Sequence, residues 1–266
     1  MRPFVRNLIG LAGFFLIWEG AVRLGLVEAE FLPPPSTVAA RMVELLGTQT
    51  FLRDLVATVL AWLIAVGVSI VVAVPVGLLL GSIPAVRTST RLLIEFLRPI
   101  PPVAIIPLVM IVLGSGPDAK IFLAFYASVW PILFNIIYAL DDIDPLLLDT
   151  ARSFGNGRIR TLATVALPHA APFAFTGLRL SAAIALIVTV STEYLAGSEF
   201  GVGAFIIDVA TTIGAMDQVL AATVVVGLIG YLVNEGLERL GRRLFGWSDT
   251  VRTENAALAE AAGVPA

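Results

Sequence analysis

The sequence predicts an all-α, polytopic membrane protein with about six spanning helices, and three features carry that prediction. Of 266 residues, 58% are hydrophobic and only 14% charged, well above the roughly 45–50% apolar share of a soluble domain. A core in a chain of this size cannot hold so much apolar surface, whereas lipid accepts it on the outside. Uncharged runs long enough to cross a bilayer recur along the chain, and basic residues are distributed unequally around them. With no cysteine there is no disulfide, thiolate metal site or cysteine nucleophile, and the single histidine, His169, excludes a multi-histidine metal site. The net charge of −3 says little about partners.

The N-terminus, MRPFVRNLIGLAGFFLIWEG, has the basic start and short apolar run of a secretory signal, with Val27-Glu28-Ala29 as a loose cleavage site. Glu19 interrupts the apolar region before that site, so residues 7–24 are expected to form the first span instead. FLPPPSTVAARMVELLG then places Val38, Met42, Val43, Leu45 and Leu46 on roughly one face behind Ser36 or Thr37 as N-cap, which reads as an amphipathic helix outside.

The second span, 56–80, carries no charge, and its GLLLG end (Gly77 to Gly81) has the small-xxx-small spacing of close helix contact. The third, 99–117, opens with Pro99, Pro101, Pro102 and Pro107. Its freed carbonyls must therefore pack inside a bundle or face a watery cavity, which makes Pro101 and Pro102 gate candidates as well as a kink. The fourth, 121–140, offers Ser128 and Asn135, which can line a path or bond neighbouring helices. The fifth, 173–196, contains Arg179 and Glu193, and the sixth, 218–237, contains Glu235. Glu193 is the acid nearest the membrane interior and so a pathway candidate, weighed against a solvated helix end. Residues 201–216 are short for a span, and Asp208 at the centre would cost roughly 2.5 kcal/mol or more in lipid. They read as an external or interfacial helix. Residues 248–266 form a polar tail.

An even number of spans puts both termini on one side. With the termini in the cytoplasm, only Arg23, Arg41, Arg53 and Lys120 of the 17 basic residues fall outside, which obeys the positive-inside rule. Arg98 and Arg179 then lie near the boundary and must snorkel. Residues 141–172 face the cytoplasm.

Enzyme signals fail on inspection. GSGPDAKI (Gly114 to Ile121) lacks a phosphate loop's second glycine, being Ala119 there, and has Ile121 where Ser or Thr is needed. His169 has no carboxylate or second histidine close in sequence and reads as a satisfied or interfacial residue, and Asp141, Asp142 and Asp144 read as a solvated boundary.

The cytoplasmic stretch is different. Pro145 can open a helix with Leu146, Leu147, Leu148, Ala151 and Phe154 on its apolar side, and Asp149 and Arg152 share a face. Gly155, Asn156 and Gly157 stop it, since they tolerate the left-handed conformation of a helix cap. A second helix is expected from about Arg158 to near Pro168.

Asp149-Thr150-Ala151, three residues, Gly155, nine residues, Val165, one residue and Leu167-Pro168 resembles the EAA loop of ATP-binding cassette (ABC) importer permeases, E-A-A-x3-G-x9-I-x-L-P. RPIPPVAIIPLVMIVLGSG, KIFLAFYASVWPILFNIIYALDDIDP and FTGLRLSAAIALIVTVSTEYLAG are similar to permeases of the nitrate, sulfonate and taurine group. The resemblance covers about residues 55–245 and departs at Asp149 for Glu, Thr150 for Ala and Val165 for Ile.

It implies a type I importer permease in a cytoplasmic (inner) membrane, without enzymatic chemistry or cofactor of its own. Two permease copies, as a homodimer, form the pathway. Two cytoplasmic ATPase subunits carry ATP and Mg, and an external binding protein delivers a small solute such as a sulfonate, taurine or nitrate. Leu148, Ala151 and Phe154 would be the ATPase docking contacts, Asp149 and Arg152 the polar register, and Gly155 the turn, with Thr150 and Pro168 completing the motif. An ion-gradient-driven secondary transporter is the alternative, but only one span is visibly broken where an inverted repeat would break two.

Overall fold

The computed structural model describes residues 3–261. Among the described residues the regular elements are all helical: α1 (Pro3–Arg23), α2 (Pro35–Leu46), α3 (Gln49–Ser82), α4 (Pro84–Leu97), a 3-10 turn (Pro102–Ile105), α5 (Ile106–Leu113), α6 (Pro117–Asp141), α7 (Pro145–Ser153), α8 (Arg158–Thr161), a π segment (Leu162–Ala166), α9 (Leu167–Leu195), α10 (Val202–Ala210) and α11 (Met216–Ala261). Arg2 and residues 262–266, the end of the expected tail, lie outside the described residues.

Among the described residues, four helical runs are long and apolar enough to cross a membrane, Gln49–Ser82, Pro117–Asp141, Arg158–Leu195 and Met216–Gly246. A fifth candidate is the pair Pro84–Leu97 and Pro102–Leu113, bent by 78°. These runs give four or five candidate spans among the described residues, and α1, a helix of 21 residues, covers the expected first span.

The third span is thus no straight rod over 99–117. Leu97 would bond the N–H four residues on, but Pro101 has none. Its carbonyl accepts instead from Ile100 N at 3.2 Å and from the Tyr126 hydroxyl at 2.5 Å. Pro101 is exposed and Pro102 half-buried at the break.

The fifth span also differs. Pro168 does not end a helix, because the chain stays helical from Arg158 to Leu195. The preceding turn widens to a π segment in which Leu167 N bonds Leu162 O, five residues back. That takes the ladder out of its usual register just before Pro168, whose ring would otherwise press on the Thr164 carbonyl.

At α2 the N-cap is Pro34, and neither Ser36 nor Thr37 caps the helix with its side chain. Ser36 instead gives its N–H (3.1 Å) and hydroxyl (2.8 Å) to the Glu19 carboxylate of α1. An acid borrowed from another helix thus serves the orphan N-terminal donors. Val38 and Leu45 are buried while Val43 is exposed, so the expected apolar face is narrower than drawn. Helix α10 has nine residues, too short to span. Helix α11 overruns 218–237 at both ends, with a non-helical Phe245. Arg179 does more than snorkel, since it meets Glu238 at 2.8 Å.

The chain divides into two compact units, one of residues 1–61, 106–120 and 189–230 and the other of 62–105, 121–188 and 231–266. In the first, Val38, Leu45, Phe51, Val202, Ala221, Ala222 and Val225 form the core. In the second it is Ala73, Leu80, Val129, Ile132, Leu133, Ile136 and Ile137. There the GLLLG stretch lies on α6: a Cβ at Gly77 would sit 3.0 Å from the Ile136 Cβ, and one at Gly81 3.0 Å from the Leu140 Cβ. Gly177 of α9 goes further, because its Cβ would stand 2.7 Å from the Pro131 carbonyl oxygen and 2.8 Å from the Ile132 Cα. Backbone cannot step aside as a side-chain tip can. Gly177→Ala is therefore expected to destabilise by about 1–3 kcal/mol. Gly67→Ala, with nothing within 4 Å of the added carbon, should not. The thermal denaturation midpoint of the detergent-purified protein checks both, and equal midpoints would refute the close approach.

Candidate functional site

Local chemistry builds the α7 turn. Asp144 caps α7 by accepting from Leu146 N at 2.8 Å, and Pro145 fills the first helical position, where its missing N–H costs nothing. At the other end Gly155 takes φ 76°, with Gly155 N on Arg152 O at 2.8 Å and Asn156 N on Ala151 O at 3.1 Å. This is a Schellman cap, and its left-handed residue is the expected turn glycine. Asp149 and Arg152 pair at 2.8 Å, both largely exposed, so the bond orders the face without much stability. The Thr150 hydroxyl turns back onto the Leu146 carbonyl at 2.7 Å.

Of the expected docking contacts, Phe154 is 82% exposed and Leu148 half-buried, but Ala151 is buried within its own unit. Ala151 lies on the inward side of α7, so it is removed from the presented surface and serves the turn's packing. Pro168 is exposed within α9, beyond the turn. Leu146, Leu147 and Ile159 are exposed, Ile159 at 85%. Ile159 was missed from sequence, although a lone aliphatic residue between Arg158 and Arg160 was a readable sign. The turn therefore offers apolar Phe154 and Ile159 on either side of its bend, ringed by charge.

The expected pathway residues scatter. Ser128 is fully buried, 2.7 Å from Ser69 of α3, and its carbonyl accepts from the Ser181 hydroxyl of α9. It thus bonds α6 to α3 and α9. Asn135 is half-buried and donates to Pro131 O of its own helix at 2.8 Å. The His169 Nε2 is buried without a hydrogen-bond partner, so the satisfied reading fails for that atom.

Glu193 is 0% exposed, which overturns the solvated helix end. Lys120 Nζ meets it at 2.7 Å and also donates to Phe200 O at 2.9 Å. The Thr58 hydroxyl lies 2.8 Å from Glu193 Oε2, and Gly203 N donates to the same oxygen at 3.1 Å. Val202 N donates to Thr58 Oγ1 at 2.8 Å. The cluster pins residues 200–203, the link from α9 to α10, onto α3, α6 and α9 of one unit. Gly201 takes φ 142° and Gly203 lies against the α9 backbone, because the carboxylate and the Val190 carbonyl leave no room for a Cβ. Lys120 and Thr58 were not singled out from sequence. Among the described residues no group of three or more His, Cys, Asp or Glu could hold a metal.

Residues 69–243 match the family model described as binding-protein-dependent transport system inner membrane component. The taurine transport system permease protein TauC of Escherichia coli (strain K12) is 32% identical, over 94% of this chain and 92% of that one. The bicarbonate transport system permease protein CmpB of Synechocystis sp. is 27% identical, over 88% and 86%. An inward-facing structure of the MetNI methionine ABC transporter superposes with a TM-score of 0.63 at 20% identity, covering 72% of this chain and 94% of that one. A bacterial ABC transporter involved in import of the acidic polysaccharide alginate gives 0.63 at 16% identity, over 91% and 96%.

Proposed function

This chain belongs to the family of binding-protein-dependent transport system inner membrane components, and from that premise we propose how it works and what it carries. It is a multi-pass permease subunit of an ABC importer, a family that works with ATPase and binding-protein partners. The solute is a small anion or a zwitterion bearing an oxyanion, a class to which taurine and bicarbonate, named for its relatives, both belong. The permease pairs with a second copy, keeps both termini in the cytoplasm, and leaves ATP, Mg and hydrolysis to two separate ATPase subunits.

The carrying observation is the α7 turn, a short, capped helix that leaves Phe154 and Ile159 exposed. A large apolar side chain held out on a rigid, charged-rimmed turn outside a membrane helix is suited to a groove on another protein. A rigid turn transmits the displacement of whatever holds it, whereas a flexible loop would absorb it. Closure of the ATPases on ATP would thus be passed directly into α6 and α9.

Reconstitution of the permease with its ATPase and binding protein tests the reading. Taurine, nitrate or bicarbonate, offered singly, is expected to stimulate both ATP hydrolysis and uptake, and none doing so would remove the anion assignment. Uptake that persists without the ATPase under a proton or sodium gradient would replace the mechanism with secondary transport.

A further inference from the structure

Helix α4 has no buried residue. Leu92, Leu93 and Phe96 stand 80%, 59% and 69% exposed along one side, far more apolar surface than an aqueous face would carry. On the opposite side, Arg87, Arg91 and Arg98 recur at spacings of four and seven, which stacks them on a single face. That face closes over a cavity of about 410 Å3 between α4 and α6. Glu95 shares the rim, Leu80 and Ile137 form an apolar floor, and Phe134 and Tyr138 stand beside it.

The arginines are only partly used. Arg87 meets Asp141 through Nη1 at 2.6 Å and Arg91 meets Glu95 through Nε at 2.7 Å, so the remaining nitrogens of both forks are left as donors. The Arg98 guanidinium lies 4.3 Å from the Phe134 ring centroid and has no carboxylate partner among the described residues. Three arginines against two carboxylates, Glu95 and Asp141, leave one positive charge in excess. An arginine fork presents paired N–H groups that suit a phosphate diester. An apolar floor beside those forks suits the glycerol and first acyl carbons attached to such a phosphate, and a free inorganic anion would make no use of it.

We propose that the cavity between α4 and α6 is a binding site for the headgroup of an acidic phospholipid, with Arg91 and Arg98 as its phosphate donors. Helix α4 then lies in the membrane interface with Leu92, Leu93 and Phe96 in the acyl region. The site also reaches the coupling turn, because Arg87 is shared between the cavity and Asp141, the last residue of α6, shortly before Asp144 caps α7. A lipid phosphate competes with Asp141 for Arg87, so occupancy changes how firmly the base of the turn is held. That consequence rests on α7 being the ATPase contact, whereas retention of the lipid does not.

The test uses the complete transporter with its ATPase subunits, equilibrated with vesicles of phosphatidylcholine alone or mixed with phosphatidylglycerol, then read for bound lipid by native mass spectrometry. The wild type is expected to retain phosphatidylglycerol over phosphatidylcholine, and Arg91→Ala/Arg98→Ala to lower that retention by about thirtyfold. Arg91→Lys/Arg98→Lys should keep most of it. Equal retention of the two lipids by the wild type, or unchanged retention in the alanine pair, overturns the proposal. Displacement of the lipid by excess inorganic phosphate or taurine overturns it too, by making the cavity a free-anion site. If the alanine pair fails to assemble, the wild-type lipid preference decides alone. Lipid retention without any change in ATP hydrolysis would count against the α7 consequence and leave the site standing.

Discussion

Glu193→Gln is expected to lower the stability of the purified protein by about 3–5 kcal/mol, the range for breaking one side of a buried ion pair. Lys120 is 4% exposed and its ammonium is left facing a neutral amide. A site this buried gives bulk solvent little access to replace the lost charge. Lys120→Met should cost a similar amount by stranding the carboxylate. The double change Lys120→Met/Glu193→Leu should recover much of the loss, because removing both charges removes the desolvation penalty as well. Full recovery is not expected, since Val202 N and Gly203 N are held through Thr58 and Glu193. The midpoint of thermally induced aggregation in detergent, measured for all four proteins, decides. A Glu193→Gln midpoint equal to wild type would mean the charge pair contributes nothing to the fold.

Gly155→Pro and Asp149→Arg should cut ATP-driven uptake by about 5–150-fold, the span of a coupling free energy of about 1–3 kcal/mol, while membrane insertion stays intact. Proline fixes φ near −65°, whereas Gly155 needs 76°, and it deletes the N–H that bonds Arg152 O. The bend that sets α7 against α8 is then lost. Asp149→Arg keeps the helix but puts two positive charges where a pair stood at 2.8 Å. The expected signature is ATP hydrolysis without uptake, or ATPase subunits that no longer copurify. Normal uptake and copurification in both variants would rule out the α7 turn as the ATPase contact.

Much of the architecture was legible beforehand because the membrane imposes its rules locally. An uncharged run of twenty or so residues must be helical, as lipid offers no partner for its backbone. The cores of α3 and α6 follow directly, and those of α9 and α11 follow with charges only near the ends of the apolar run, at Arg179, Glu193 and Glu235. The α7 turn was equally legible, since Asp144, Pro145 and Gly155 each act on the backbone within a few residues of themselves.

What tertiary structure alone decided lies between distant residues. Lys120 and Glu193 are 73 positions apart, and each alone reads as a charge at a helix end. Ser36 looked like a cap because capping is a local rule, yet it bonds Glu19, 17 residues away. Ala151 looked like part of a docking surface until α8 and the π segment folded back beside it, and Pro168 looked like a helix end until that segment absorbed its ring. Sequence by itself determined which stretches are apolar enough to meet lipid and where the α7 turn bends, because solvent and backbone geometry act residue by residue. Which polar groups meet inside, and which faces stay open for a partner, depended on packing between helices, where one contact exists only after the others are in place.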